Sequence, residues 1–205
     1  MGTLKGKDIL HGNQFSRKEI DAILKTAAQM ERELKSKGSL SLLKGKILVT
    51  LFFEPSTRTR LSFEAAMQRL GGGVISMGSV EGSSVAKGET LADTVQTVAQ
   101  YADVIVVRHP RIGSAKEVAD AVSIPVINAG DGAGQHPTQA LLDLYTIRKE
   151  LGTLKNLSIA LVGDLKNGRT VHALVEVLSH FGVHFYFVAP SLLRMPGEIT
   201  ERMKE

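Results

Sequence analysis

Short runs of consecutive apolar residues alternate along this chain with segments in which apolar residues recur at helical spacing. The runs predict buried strands, and the spaced segments predict amphipathic helices. The predicted strands cover residues 47–53, 74–77, 102–107, 125–128, 157–162 and 184–188. The predicted helices cover about 16–37, 57–70, 89–101, 114–122, 137–151, 169–180 and the residues from 196 onward. This alternation predicts an α/β fold with mainly parallel sheets flanked by helices.

Polar and cationic residues follow directly after four of the predicted strands. They form the clusters Ser56–Thr59, Arg108, the loop that ends at His136, and Asp164–Arg169. The carboxyl ends of parallel strands meet at one edge of a sheet, and ligands of open α/β sheets bind at that edge. We therefore expect these clusters to share one binding site.

The junction between the first strand and the second helix has the character of an anion site. Pro55 disfavours helix at the residue before it, and Ser56 is a suitable N-cap. The amides of residues 57–59 would then be free donors at a helix N-terminus. Around them lie three hydroxyls and one guanidinium, from Ser56, Thr57, Thr59 and Arg58. This combination predicts phosphate binding, although a shorter motif of this kind would favour an ordinary capped helix with solvent-facing arginines.

Composition narrows the class of protein. The 205 residues are 43% hydrophobic and 22% charged, which is typical of a globular protein with a core. The net charge of +4 is not concentrated in a basic block, so a small anionic substrate is favoured over nucleic acid. The absence of cysteine excludes disulfides and thiolate metal sites. No signal-peptide core or membrane-length apolar run is found, which predicts a cytoplasmic protein without a membrane partner.

Two further clusters suit recognition of a small carbonyl-containing anion. Arg108 offers a second cation, unless it is merely a solvated strand end. His136 and Gln139 share one face at the start of the fifth helix, whose first position is Pro137. An imidazole there can donate to a carbonyl oxygen, and the glutamine amide can bond an amide-like NH2 group. A structural histidine cap is the alternative.

The string G-D-L-K-N-G-R-T at residues 163–170 is one residue away from a P-loop, with Arg169 in the lysine position. A nucleotide-binding protein is therefore a rival interpretation. Arginine is a poor substitute for the compact lysine charge, and no acidic strand end downstream supplies a magnesium ligand. The sequence assigns no role to Asp143 or Asp164.

Three strings resemble those of the aspartate and ornithine carbamoyltransferases. F-E-P-S-T-R-T-R-L-S-F-E at residues 53–64 is similar to their carbamoyl-phosphate-binding signature. Residues 163–170 resemble the G-D-L-x-x-G-R-T string of the aspartate enzymes. Residues 83–89, S-S-V-A-K-G-E, resemble the mobile loop that enters a neighbouring subunit's active site in those enzymes. The last two strings favour the aspartate over the ornithine branch, and the likeness runs nearly end to end.

The resemblance implies transfer of a carbamoyl group from carbamoyl phosphate to L-aspartate in pyrimidine (UMP) synthesis, without metal or cofactor. It implies catalytic roles for His136, Thr59, Arg58 and Lys87. It implies that carbamoyl phosphate is bound by Ser56, Thr57, Arg58, Thr59, Arg108, His136 and Gln139. It implies that aspartate is bound by Lys87 and Arg169. Ser83 and Lys87 would come from the neighbouring subunit of a homotrimer, with regulatory subunits as conceivable further partners.

The resemblance also implies two domains. Residues 1–150 would form a carbamoyl-phosphate-binding domain, and residues 151–205 part of a Rossmann-like aspartate-binding domain. Because a typical domain has about 100–150 residues, we expect the second domain to be C-terminally truncated. In the family this domain supplies further aspartate ligands that cannot be mapped here. A non-catalytic carbamoyl-phosphate-binding fragment is therefore the main alternative to an enzyme that turns over with these residues alone.

Overall fold

The computed structural model describes residues 4–77 and 88–202, with the side chain of Arg202 excepted. The strands of this part are β1 (Ile47–Phe52), β2 (Gly73–Met77), β3 (Val104–His109), β4 (Val126–Asp131), β5 (Ser158–Val162) and β6 (His184–Val188). The α-helices are α1 (Arg17–Lys37), α2 (Thr57–Arg69), α3 (Leu91–Ala99), α4 (Ser114–Ala121), α5 (Pro137–Leu151), α6 (Arg169–Leu178) and α7 (Gly197–Arg202). Short 3-10 helices cover Gly12–Gln14, Ser179–Phe181 and Ser191–Leu193.

The strands form two parallel sheets, which confirms the predicted fold class. The first sheet has the order β2-β1-β3-β4, and the second pairs β5 with β6. In the first sheet Phe52 pairs with Arg108, and Val107 pairs with Asn128. The carboxyl ends of β1, β3 and β4 therefore meet at one edge, as the sequence predicted.

Both faces of the first sheet are covered, as expected for parallel strands. On one face Ile105 and Val107 of β3 pack in a cluster with Val95 of α3 and Val118 of α4. On the other face Val106 packs in a cluster with Met67 of α2. The alternation along β3 follows from the two-residue period of a strand. It fixes α2 against the sheet with its N-terminus near the strand ends.

A third cluster ties the second sheet to the first. Ala140 and Leu144 of α5 pack with Ala173 and Val177 of α6, and α1 adds Leu24. The helix α6 that follows β5 is therefore held against the helix α5 that follows β4. This contact brings the N-termini of α5 and α6 to the same side of the molecule.

The helix α1 begins as predicted, with the N-cap Ser16 and a capping box with Glu19. Two strands end clearly later than predicted. Strands β3 and β4 continue past the predicted ends at 107 and 128, and reach His109 and Asp131. The predicted ends were wrong because polar residues were taken to leave the sheet, whereas Arg108 and Asp131 are buried within it. No helix among the described residues is long and apolar enough to cross a membrane.

Candidate active site

A cleft of about 910 Å³ opens at the carboxyl edge of the first sheet, between α1, α2, α5 and α6. Its polar lining consists of Ser56, Arg58, Thr59, Ser62, Arg108, His136, Thr138, Gln139, Arg169 and Thr170. Most of the predicted site residues therefore meet in one place. Thr57 is exposed and is not part of the lining. Ser83 and Lys87 lie outside the described residues.

The N-terminus of α2 borders this cleft and has hydrogen-bond donors without a partner within the helix. Ser56 is the N-cap in extended conformation, as predicted, but its side chain makes no capping hydrogen bond. The first amides of a helix have no intrahelical acceptor. The hydroxyl of Ser56 and these amides are therefore able to bind an anion beside Arg58 and Thr59. Negative charge is also favoured here by the helix dipole.

Glu54 joins two of the predicted arginines, a role that the sequence analysis missed. Its carboxylate accepts from Arg169 Nη2 at 2.8 Å and from Arg169 Nη1 at 3.3 Å. It also accepts a short hydrogen bond from Arg108 Nη2. The hydrogen bond from Arg169 and the charge of Arg108 lower the pKa of Glu54, although its partial burial acts in the opposite direction. The available signal was its place directly after the first strand, at the sheet edge where cationic clusters were predicted to meet.

Arg108 is buried where β3 ends, with 8% of its surface exposed. Its Nη1 donates to the carbonyl oxygen of Ala129 at 3.2 Å. Burial and the nearby charge of Arg169 lower its pKa, while Glu54 raises it. Because an arginine pKa starts far above neutrality, the guanidinium remains charged. The cleft therefore has a fixed cation at its base.

Gly130 allows Arg108 and Arg169 to approach the same backbone. A Cβ at this position would lie 3.1 Å from Arg108 Nη1 and 3.3 Å from Arg169 Cζ. Its φ of +118° is also a conformation that other residues rarely adopt. Arg169 Nη1 donates to the carbonyl oxygen of Gly132 at 2.6 Å, in the same loop. The loop after β4 thus positions both guanidiniums.

Asn128 and Asp131 hold this loop in place through buried hydrogen bonds. Asp131 accepts from the amides of Gln135 at 2.7 Å and Gly113 at 2.9 Å. Asn128 accepts from the amide of Gly130 at 2.8 Å and donates to Asp131 at 3.2 Å. These bonds fix the backbone between β4 and α5. They thereby set the position of the residue that begins the helix.

That residue is His136, the N-cap of α5, with 5% of its surface exposed. Burial, and then the positive charges of Arg108 and Arg169, lower the pKa of His136 to about 4. The imidazole is therefore neutral at pH 7, with one N–H donor and one acceptor nitrogen. Its Nδ1 lies 3.4 Å from Thr138 Oγ1. A neutral imidazole can donate to a carbonyl oxygen without repelling the neighbouring arginines.

Gln139 lies one turn inside α5 and lines the cleft, as predicted. Its Nε2 donates to Asp143 Oδ1 at 2.9 Å. Burial raises the pKa of Asp143, and the hydrogen bond from Gln139 acts in the opposite direction. Asp143 was given no role from the sequence, because Gln139 was considered without the residue one turn later on the same helix.

The loop 163–168, which resembles a P-loop in sequence, does not cradle an anion with its amides. Asp164 Oδ1 accepts from the amides of Lys166 at 3.1 Å and Asn167 at 3.0 Å. The ring of His172 bonds the carbonyl oxygen of Leu165 at 2.7 Å through Nε2. Two of the loop amides that a nucleotide phosphate would need are thus already paired. This geometry argues against the nucleotide-binding alternative.

Among the residues that the structure describes, no three His, Asp or Glu side chains are grouped as metal ligands would be. The donors of the cleft are instead guanidiniums, hydroxyls, amides and one neutral imidazole. Such groups bind anionic and carbonyl oxygens. The arrangement suits a small molecule that carries a phosphate and a carbonyl group.

Comparison with protein families matches residues 7–149 to the carbamoyl-phosphate-binding domain of aspartate/ornithine carbamoyltransferase. The aspartate carbamoyltransferase catalytic subunit of Thermococcus kodakarensis is 57% identical over 201 residues, which are 98% of this chain and 65% of that protein. The corresponding subunit of Methanothrix thermoacetophila is 60% identical over 196 residues, 96% of this chain and 64% of that protein. The chain thus spans about 65% of the length of these relatives.

Solved structures give the same picture. The aspartate transcarbamoylase from Trypanosoma cruzi, in complex with carbamoyl phosphate and aspartate, matches with a TM-score of 0.95 and 48% identity over 98% of this chain and 63% of that one. The catalytic subunit of M. jannaschii aspartate transcarbamoylase matches with a TM-score of 0.90 and 54% identity over 97% of this chain and 65% of that one.

Proposed function

This chain belongs to the aspartate/ornithine carbamoyltransferase family, and from that membership we propose that it binds carbamoyl phosphate and transfers the carbamoyl group to L-aspartate. The products would be N-carbamoyl-L-aspartate and phosphate, in de novo pyrimidine (UMP) synthesis. The observation that carries the proposal is the convergence of Arg58, Arg108 and His136 on one cleft. The close aspartate relatives favour aspartate over ornithine as the acceptor.

In the proposed complex the phosphate lies at the N-terminus of α2. The free amides, the hydroxyls of Ser56 and Thr59 and the guanidinium of Arg58 supply donors, and the backbone of Thr57 contributes its amide. Arg108 provides a second charge from the base of the cleft. Stabilising the departing phosphate in this way lowers the barrier to its loss, because negative charge builds on it as the bond breaks.

The carbonyl group of the substrate is proposed to point toward His136 and Thr59. A neutral imidazole N–H can donate to the carbonyl oxygen and stabilise the negative charge that forms there. The low pKa of His136 supports this role, since a charged ring beside Arg108 and Arg169 would be repelled. Gln139 is placed on the same helix face to bond the carbamoyl nitrogen.

The reaction then needs only positioning. The aspartate amino nitrogen attacks the carbonyl carbon, and a tetrahedral intermediate forms. The bond between that carbon and the phosphate oxygen breaks, and the proton lost by the amine passes to the leaving phosphate. Holding two anions together against their repulsion supplies much of the rate gain.

Arg169 is the proposed ligand for a carboxylate of aspartate. A guanidinium has five N–H donors, of which Arg169 uses three on Glu54 and Gly132. The remaining two can reach a substrate carboxylate. We propose that Lys87 adds a second cation to the aspartate site and that Ser83 joins it, both from the neighbouring subunit.

The proposed assembly is accordingly a cytoplasmic homotrimer with shared active sites. We place the boundary between a carbamoyl-phosphate-binding domain and the start of an aspartate-binding domain near residue 150. The family match at residues 7–149 supports that position. Regulatory subunits would be additional partners of such a trimer.

Calorimetry with a bisubstrate analogue that carries a phosphonate and a dicarboxylate tests the proposal. We expect the chain to bind this analogue and Arg58→Ala to weaken binding at least tenfold, the scale of one lost charged hydrogen bond. Arg69→Ala is the matched control, since Arg69 is exposed at the other end of α2. Absence of binding, or equal loss in both variants, would refute the proposed site.

A parallel assay of N-carbamoyl-L-aspartate separates the enzyme from the carbamoyl-phosphate-binding fragment. Binding with product formation supports the transferase. Binding without product formation supports the non-catalytic alternative. Magnesium-dependent ATP binding that Arg169→Lys does not weaken would revive the nucleotide-binding alternative instead.

A further inference from the structure

A hydrogen bond joins Gln139 to Asp143 beside the cleft. Both residues lie on α5, one turn apart, and both are half-buried. Gln139 lines the cleft, whereas Asp143 does not. In the part of the chain that the structure describes, the Gln139 amide is the hydrogen-bond partner found for the Asp143 carboxylate.

The chemistry of the pair fixes the orientation of the amide. The carbonyl and NH2 ends of glutamine have nearly the same shape and differ in hydrogen-bonding character. An ionised carboxylate only accepts hydrogen bonds, so the NH2 end of Gln139 must face Asp143. The Nε2 to Oδ1 distance of 2.9 Å agrees with this orientation. The carbonyl oxygen Oε1 is then left for a ligand in the cleft.

Helix stabilisation is the ordinary role of a glutamine–aspartate pair at this spacing, and its contribution is small. A pair with that role alone would be expected on a solvent-facing surface. Gln29 and Glu33 on α1 form a comparable amide–carboxylate pair, with a hydrogen bond of 2.7 Å on the exposed surface. Asp143 is half-buried instead, and burial disfavours its charged form. The Asp143 carboxylate thus bonds Gln139 at the cost of partial burial of its charge, which a pair on the surface avoids.

We propose that Asp143 is a positioning residue that holds Gln139 Oε1 toward the cleft, so that the site selects ligands with an NH2 group beside their carbonyl over those with a methyl group. This proposal rests on the proposed function, because it takes the ligand to be a carbamoyl compound. It adds the residue that sets the selection. An acceptor oxygen facing a methyl group would be left without a partner, which costs binding free energy.

Two stable probes of almost equal shape test the proposal: phosphonoacetamide, which has the NH2 group, and 2-oxopropylphosphonate, which has a methyl group in its place. Calorimetry on the wild-type chain should give about tenfold tighter binding of phosphonoacetamide, the order of one hydrogen bond. Asp143→Leu removes the acceptor at similar size, so the Gln139 amide can turn over. We expect the preference to fall to about twofold or less, because the amide then offers both ends.

Inorganic phosphate is the control ligand, and its affinity should be the same in wild type and variant. Asp143→Asn should give an intermediate preference, because its amide can either accept from Gln139 Nε2 or donate to Gln139 Oε1. If Asp143→Leu does not fold, Asp143→Ala makes the same test with a smaller side chain. A preference that falls stepwise from aspartate to asparagine to leucine is not expected of a merely structural residue.

The outcomes separate the two proposals. A preference that survives in the folded Leu or Ala variant overturns the role of Asp143 and leaves the proposed function standing. A wild-type chain that binds phosphate without preferring either phosphonate also overturns it. A wild-type chain that binds neither phosphate nor phosphonoacetamide overturns the proposed function itself, and the role of Asp143 with it.

Discussion

Two strand-to-helix junctions in this molecule look alike in sequence and behave differently in structure. Residues 53–56 lead from β1 into α2, and residues 163–168 lead from β5 into α6. Each helix has an arginine in its first turn, Arg58 or Arg169. At the first junction the Ser56 side chain makes no capping bond, so donors remain open to the cleft. At the second, Asp164 already pairs the loop amides. The internal acceptor, rather than the motif, decides whether a helix start can bind an anion.

The strongest test of this comparison is to give the first junction the acceptor of the second. Ser56→Asp places a carboxylate at the N-cap of α2, where it can accept from the free amides. It also brings negative charge to the proposed phosphate site. We expect phosphate and phosphonoacetamide affinities to fall about a thousandfold, because donors are lost and like charges are opposed. Calorimetry measures the effect.

The control for that variant is Ser56→Ala, which removes the hydroxyl without adding charge. It should weaken binding far less than Ser56→Asp. Undiminished phosphate binding by Ser56→Asp would mean that the α2 N-terminus is not the anion site.

The pH dependence of stability reports the burial of His136 and the positive charges of Arg108 and Arg169 beside it. The unfolded histidine takes up a proton near pH 6.5, whereas the folded one does so only near pH 4. Stability should therefore fall as pH drops from 6.5 to 4, by up to about 3 kcal/mol from this group. His136→Gln should remove this part of the loss. Urea unfolding at pH 7, 6, 5 and 4 gives the comparison.

His184→Gln is the matched control, since His184 is exposed on β6. It should leave the pH dependence close to that of the wild type. If His136→Gln and the wild type lose stability in parallel between pH 6.5 and 4, His136 does not have the neutral environment described.

Gly130 is the point at which Arg169, from the second junction, and Arg108, at the end of β3, approach the same backbone. Gly130→Ala should destabilise the fold by about 2 kcal/mol, through positive-φ strain and contact with both guanidiniums. Gly163→Ala has a similar strain, φ +127°, with no atom within 4 Å of the added Cβ. It should therefore cost less in the free energy of unfolding measured in urea. Equal costs would show that the guanidiniums adjust freely.

The smallest effect is expected when the second junction loses its internal acceptor. Asp164→Ala should lower the free energy of unfolding by about 1 kcal/mol, because two loop amides lose an exposed acceptor. Phosphate affinity should change less than about twofold, since the anion is bound at α2. Asp120→Ala, an exposed aspartate on α4, is a suitable control. A large gain of phosphate binding in Asp164→Ala would show that the two junctions are equivalent.

The sequence predicted the fold well because its signals are local. Apolar runs and capping residues predicted each strand and each α-helix of the described chain, and Ser16 and Glu19 form the predicted capping box. The strand ends at Arg108 and Asp131 were missed, because burial of a charged residue depends on distant partners. Residue type alone cannot reveal such partners.

The sequence predicted which side chains line the cleft better than it predicted the contacts between them. Arg58, Arg108 and His136 were expected in one cleft, and all three line it. Glu54 and Asp143 were missed, because their roles arise from contacts with Arg169 and Gln139. The contact with Arg169 spans more than a hundred residues of sequence and exists only through the packing of α5 on α6. No motif encodes it.

We propose that a single cleft orients both the phosphate and the carbamoyl group of its ligand. A crystal structure of this chain with phosphonoacetamide bound tests this directly. We expect the phosphonate between the α2 N-terminus and Arg108, with the carbonyl oxygen at His136 and the NH2 group at Gln139 Oε1. A phosphonate bound instead at residues 163–168, or an amide group turned away from Gln139, would contradict it.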